Sequence, residues 1–415
     1  MKTFDPYPGA IPDDPVELMR RLQETNGRRY PHDLYSRLRE IAPTWRDPTT
    51  GIVFAFRWAE ADQLFRSPQF GGQEGRLAAD PRFETSPALQ LIASNIAFRD
   101  PPELVRLRGY AQKAFSRPVV EGVRAYLEAL TTEVLDGLGD REEIDIVNDF
   151  AVRIPPAVIC HMLGIPLEDR SRFEGWVSDQ FRLLTPLPIS NETLAEIDAS
   201  TKLLVEYTSS LIDERRRAPR SDLVSGLLQG SDSTGKPMTA QEMIAMTIVL
   251  LGGGSDTTRF VIAMGSRALI LDEEQGDALR ADPKLDARAF EEFCRIYGPV
   301  AIGNIRRSSN DVELGGMTIP AGTWVAPVIA SANLDPTVFT DPNKIDIRRN
   351  PNPHLAFGGG AHACLGMMMA RMIGPYAIGQ FARRFPRLQL CDSQLEVNEK
   401  LFAIRGLLSL KVRRA

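Results

Sequence analysis

This sequence predicts a mainly α-helical fold with small β-sheets, built as one domain over residues 1–415. Three observations carry that reading. From about Asp100 to Leu279 apolar residues recur at three-to-four spacing with charges between them, as amphipathic helices require. Short alternating runs punctuated by Gly and Pro occupy about 42–58 and 300–330 and return at the C-terminus. Length alone suggests two or three domains of roughly 150 residues, but no linker, repeat or low-complexity tract divides the chain.

In chain order, Ala42–Arg46 and Ile52–Phe56 flank the turn Asp47-Pro48-Thr49-Thr50-Gly51 and read as a hairpin. The helical body covers about 100–295, with Val120–Leu138 and Lys202–Arg216 as examples. Thr239 and Glu242 form a capping box, so a helix opens near Ala240 and is expected to run unbroken to about Leu271. It contains Gly252-Gly253-Gly254, and each glycine costs about 1 kcal/mol relative to alanine. Either a flat ligand close to the backbone or tight helix packing compensates. Val312–Leu314, Met317–Ile319 and Thr323–Val328 follow as strands, then a helix over about 365–385, then strands at Leu388–Leu390 and Leu407–Val412.

Composition excludes several classes. Hydrophobic residues make up 43%, which rules out disorder, and 49 Lys+Arg against 54 Asp+Glu argue against a nucleic-acid binder. The longest apolar stretch, Met243–Leu251, falls well short of the roughly 20 residues of a membrane span. Four dispersed cysteines without a CxxC pair give no zinc or dithiol site. The first residues lack a signal-peptide pattern, so a reduced cytoplasm is the expected compartment. Gly230–Pro237 nearly matches a phosphate-binding loop, but Pro237 stands where a magnesium-binding hydroxyl is needed.

The segment richest in chemistry is Phe357-Gly358-Gly359-Gly360-Ala361-His362-Ala363-Cys364-Leu365-Gly366. Its glycines permit backbone geometry closed to other residues. Cys364 stands just before a helix whose amides and dipole favour a thiolate, and a lone thiolate suits one axial bond to haem iron.

That run resembles the haem-binding signature of the cytochrome P450 superfamily, in its soluble bacterial form. Glu292-Phe293-Cys294-Arg295 is similar to the family's E-x-x-R helix, and Arg349 falls where the family completes an ion triad with Glu292 and Arg295. Asp311–Thr323, the turn Ala332-Asn333-Leu334-Asp335-Pro336, and Gly253-Gly254-Ser255-Asp256-Thr257-Thr258 also resemble family segments. The resemblance implies a single-domain cytochrome P450 fold with haem b (iron protoporphyrin IX) between the glycine-containing helix and the cysteine loop. Cys364 would be the iron ligand in a loop shaped by Phe357, Gly358, Gly360 and Gly366. His362, His354, Arg306 and Arg108 would meet the propionates. Asp256 and Thr257 would form an acid–alcohol pair that relays protons, while Thr258 is structural.

By the same resemblance Ile96, Phe98, Leu250, Gly254, Val300, Ile302 and Phe402 line a substrate pocket; each could equally be ordinary core. The implied activity is a monooxygenase that hydroxylates a hydrophobic small molecule, with electrons from NAD(P)H through a ferredoxin reductase and a ferredoxin. Arg106, Lys113 and Arg371 are candidate contacts for that ferredoxin, and the protein is expected to be a monomer that binds neither nucleic acid nor membrane. The competing readings are a peroxide-driven or oxidative-coupling enzyme of the same fold and a non-catalytic haem or ligand carrier. The acid–alcohol pair counts against the peroxide route and the carrier. One position departs from the family: Leu104 stands where a histidine is common, and Leu104→His is expected to be tolerated.

Overall fold

The computed structural model describes residues 5–72, 75–185, 188–232, 235–392 and 394–414. Three N-terminal helices, Pro15–Gln23, Thr25–Arg29 and His32–Ile41, precede the first sheet. Asp14 caps the first of them, accepting from the Glu17 N–H, with Pro15 at its first position. The sheet has five strands in the order Thr44–Arg46, Val53–Ala55, Trp324–Pro327, Arg306–Ser308, Phe70–Gly71. Val53–Ala55 and Trp324–Pro327 run parallel, Val53 opposite Val325, so residues far apart in sequence share its centre.

A three-stranded sheet places Lys411–Arg414 between Glu143–Asp145 and Leu388–Leu390. Two short hairpins, Val312–Leu314 with Met317–Ile319 and Glu396–Val397 with Leu407–Ser409, complete the β-structure among the described residues. The helical body buries one large apolar cluster. At its centre the helix Asp256–Leu271 packs on Asp286–Tyr297 and Met367–Arg384. Ile146–Leu163 is long and apolar enough to cross a membrane, yet all but one of residues Ile154–Leu163 are buried in this core.

Two helices differ from the sequence expectation. The run 120–138 breaks at Val123 into Arg117–Gly122 and Arg124–Leu138. The helix from Ala240 has its capping box but ends at Gly253, and a second begins at Asp256. A Cβ on Gly252 would lie 2.6 Å from Val177 Cγ1, and one on Gly254 would lie 2.8 Å from Ile159 Cδ1. A Cβ on Gly253 would meet nothing within 4 Å, because that residue borders the cavity described next. Helix packing thus accounts for two of the three glycines and open space for the third.

Candidate functional site

The cysteine loop is shaped by its own backbone. Gly358 and Gly360 have φ of +65° and +61°, a region that side chains disfavour. At Gly360 the constraint is doubled, since a Cβ would sit 2.1 Å from the Phe65 carbonyl oxygen. The Cys364 N–H donates to the Phe357 carbonyl at 2.9 Å, and the Leu355 N–H donates to Asn333 Oδ1 at 2.7 Å. The helix Met367–Arg384 starts immediately afterwards.

Cys364 is the exposed one of the four free cysteines, and it opens onto a cavity with about 310 Å³ available to the centres of water-sized molecules. That is roughly twenty times what one water needs. Burial pushes the Cys364 thiol up, and the N–H groups of Gly366 and Met367 with the charges of Arg108 and Arg371 pull it down without cancelling the rise. The helix start alone therefore does not make the thiolate here; a bound metal would.

Arg108, Arg306 and His362 border the same cavity. Arg306 is 4% exposed, and its Nε has no hydrogen-bond acceptor. Burial lowers its pKa to about 10, with Asp100 opposing. Burial, then the charges of Arg306 and Arg108, depress His362 to about 3. Such mutual repulsion marks a place for anions. A haem needs one axial sulfur, apolar walls for its ring and cationic partners for two propionates. Cys364, walls such as Leu250, Val261 and Ile373, and the three basic side chains supply all three.

His354 departs from the sequence expectation. Its Nε2 lies 2.9 Å from Glu291 Oε2, its Nδ1 accepts from the Ala356 N–H, and it is not among the cavity's lining residues. Glu291 also takes two hydrogen bonds from Arg371, at 2.7 and 2.9 Å. This takes His354 away from its expected place at the propionates, while Arg371, a candidate ferredoxin contact, remains partly exposed and shares its charge with Glu291. Arg106 is likewise paired, with Glu103 and Glu242, and the Lys113 side chain lies outside the described residues.

Thr257 and Thr258 both line the cavity, and the Thr257 hydroxyl donates to the Gly253 carbonyl at 2.7 Å. Asp256 does not line it; its carboxylate pairs with Arg259 at 3.3 Å. Burial raises the Asp256 pKa, and Arg259 opposes. Of the seven pocket candidates, Ile96, Leu250, Gly254 and Val300 line the cavity. Phe98 packs instead in a cluster with Leu89 and Leu183. Ile302 borders a smaller adjoining cavity, and Phe402 lies under Arg28 beside the N-terminal helices. Phe181, Asn304 and Ile404 also border the site, from the segments around 181–197, after Pro299 and at the C-terminal turn that the resemblance implies, whereas Phe65 was not anticipated. The β-bridge between Val300 and Ile404, with the Ala301 N–H on the Ala403 carbonyl and the Arg405 N–H on the Pro299 carbonyl, brings Ile404 into place, and no local pattern encodes it.

Glu292, Arg295 and Arg349 converge. Glu292 accepts from Arg295 Nε and Nη2 at 2.8 and 2.7 Å and from Arg349 Nε at 3.1 Å. Leu104 is fully buried in the large apolar cluster and does not border the cavity. A histidine there would sit among apolar neighbours, which argues against the expected tolerance of Leu104→His.

The family model described as Cytochrome P450 matches residues 283–409. A relative named cytochrome P450 107B1, from Saccharopolyspora erythraea, is 33% identical over 92% of this chain and 94% of its own length. The steroid C26-monooxygenase of Mycobacterium tuberculosis is 33% identical, covering 91% of this chain and 92% of its own. A myxobacterial cytochrome P450 crystallised with myristic acid superposes with a TM-score of 0.85 at 33% identity, over 95% of this chain and 98% of that one. Likeness of this extent includes the cysteine loop, the ion triad and the helices around the cavity, and on it the chain belongs to the cytochrome P450 family of haem-dependent monooxygenases.

Proposed function

We propose that this enzyme hydroxylates a hydrophobic small organic molecule, with Cys364 as the iron ligand of haem b and with electrons from NAD(P)H through a ferredoxin reductase and a ferredoxin. The observation that carries the reading is the Cys364 sulfur opening on an apolar cavity bordered by Arg108, Arg306 and His362. When bound there, haem supplies the activation of dioxygen, with electron density from the thiolate.

The chain's own residues bind, orient and protonate. Ile96, Leu250 and Val300 give the substrate an apolar surface and keep water out. The Thr257 hydroxyl, tied to the Gly253 carbonyl, is fixed in rotamer and keeps its oxygen lone pairs for a proton-bearing partner in the cavity. Asp256 holds its proton more readily than an exposed carboxyl because it is buried. Turned from Arg259 towards Thr257, its carboxylate takes a proton from solvent and passes it on into the cavity, ending as the carboxylate it began as. The steroid monooxygenase and the myristate-bound structure support an extended aliphatic or polycyclic substrate. The proposed place of action is the cytoplasm, where NAD(P)H is available, and the enzyme is proposed to act as a monomer.

The test is spectroscopic. The reduced, carbon monoxide-bound enzyme should show the red-shifted Soret band of thiolate ligation, and Cys364→Ser should lose it; a variant that keeps the band refutes the assignment. Titration with fatty acids and steroids, read by the haem spin state, then identifies the substrate class.

A further inference from the structure

A second, smaller cavity lies apart from the cysteine site. It is bordered by the helices Thr25–Arg29 and His32–Ile41, the helix Asp256–Leu271 and the hairpin of Glu396–Val397 with Leu407–Ser409. About 50 Å³ is available to the centres of water-sized molecules, room for three or four waters or one small polyatomic ion. Arg28, Arg29 and Arg405 border it together with His32, and no Asp or Glu does so among the described residues.

Arg405 is held there by the backbone. Its N–H donates to the Pro299 carbonyl at 2.6 Å, and the preceding Ile404 bridges Val300 and faces the larger cavity. Side chains of successive residues in extended chain point opposite ways, which turns the guanidinium to the small cavity. Arg405 Nε and Nη2 are sealed from solvent and meet no acceptor, and Arg29 Nε is in the same condition. Arg28, next door, shows the contrast: its Nε donates to the Gln23 carbonyl at 2.9 Å and its Nη1 to the Leu401 carbonyl at 2.9 Å. The groups that favour charge on Arg405 are the Tyr35 and Tyr297 hydroxyls, both shifted upward by burial and so neutral near pH 7. Burial, with the charges of Arg405 and Arg39, drives His32 well below its usual range. A buried guanidinium without an anion is among the costliest arrangements in a protein interior.

We infer that this cavity is a binding site for one small oxyanion, a phosphate or the carboxylate of a small organic acid, held by the guanidinium groups of Arg405 and Arg29. The planar fork of an arginine matches two oxygens of either ion. The site is separate from the haem edge, where Arg108, Arg306 and His362 gather.

Haem-loaded enzyme is the material for the test, so that the propionates occupy that other cationic cluster. Equilibrium dialysis against radiolabelled phosphate, and in a second arm against radiolabelled acetate, is run at constant ionic strength made up with chloride. One anion per chain is expected, and the arm that binds more tightly tells the inorganic from the organic source. Arg405→Gln should weaken binding about tenfold or more, the loss of a charge-assisted hydrogen bond, and Arg29→Gln should weaken it less. No saturable anion on the wild-type enzyme overturns the site, as does undiminished binding in both variants. If Arg405→Gln does not fold, Arg405→Lys keeps the charge and loses the fork; it should still weaken the anion, and wild-type affinity in that variant counts against the assignment.

Discussion

Glu292→Gln is the substitution whose consequence the structure lets one work out most fully. The carboxylate is 0% exposed and accepts from Arg295 at 2.7 and 2.8 Å, Arg349 at 3.1 Å, the Asp346 N–H at 3.0 Å and Asn352 Nδ2 at 3.2 Å. Glutamine keeps the shape and removes the only charge opposing two guanidinium groups within this cluster. Arg295, 1% exposed, would retain the carbonyls of Asn333 and Pro342 at 3.0 and 2.8 Å, so its donors stay partly satisfied while its charge does not. Breaking a buried pair from one side costs about 3–5 kcal/mol. At about 2.1 cal/mol/K per residue, 415 residues give an unfolding entropy near 0.9 kcal/mol/K, and the midpoint should fall by about 3–6 °C. The segment held by Glu292 also leads into the cysteine loop, so haem content should fall with it. Calorimetry and haem quantitation at matched protein concentration read both. A midpoint within about 1 °C of wild type, at full haem content, would show that the charge on Glu292 is dispensable and that the carbonyls alone hold Arg295.

Three further outcomes follow from the geometry. Gly360→Ala should abolish haem retention, because the new Cβ meets the Phe65 oxygen at 2.1 Å and a left-handed φ of +61° adds about 1–2 kcal/mol of strain; haem content after purification decides it. Burial pushes Glu291 up, but hydrogen bonds from Arg371 and His354 outweigh it and hold the carboxyl at about 2. Because the folded pKa lies below the unfolded one, this stabilisation is complete above about pH 4.5 and is lost as pH falls towards 2, amounting to at most about 3 kcal/mol. The gap in urea midpoint between wild type and Glu291→Gln should therefore narrow from about pH 4.5 downwards and close only as pH approaches 2, and a constant gap would refute the pairing. Leu104→His should cost about 1–3 kcal/mol by placing an imidazole among apolar neighbours, read as a lower melting temperature without slower haem loss at equal folded fraction.

The parts of this protein that were legible in the sequence are those whose meaning is local. The glycine-flanked Cys364 loop, the Thr239–Glu242 cap and the strands between Val312 and Pro327 carry their signals within about a dozen residues. The need for glycine at 252 and 254 was not decidable in the sequence, because the side chains that crowd them, Val177 and Ile159, stand on other helices. His354 was misread for a similar reason: its partner Glu291 lies 63 positions away and claims the imidazole before the cavity can. Phe98, Ile302 and Phe402 are as apolar as Ile96 and Leu250, and composition cannot say which side of a wall an apolar residue faces. The N-terminal helices were legible and went unread: Asp14-Pro15 is a helix-start signal, and Leu18, Met19 and Leu22, then Leu34, Tyr35 and Leu38, recur at helical spacing.

Buried arginines in this fold fall into two kinds, and the difference separates scaffold from site. Arg295 is surrounded by acceptors: a carboxylate takes two of its hydrogen bonds and backbone carbonyls take the rest, so its charge is spent on holding loops together. Arg306 is equally hidden from solvent, but its Nε has no acceptor and its electrostatic counterpart is the single carboxylate of Asp100. A fold tolerates such an excess of buried positive charge when something else supplies the anion. At Arg306 the propionates of a bound haem would meet that requirement, as the proposed function has it; His362 beside it is depressed first by burial and then by the charges of Arg306 and Arg108. The same reasoning applied to Arg405, on the other face of the wall that carries Ile404, is what sets its cavity apart from ordinary packing space.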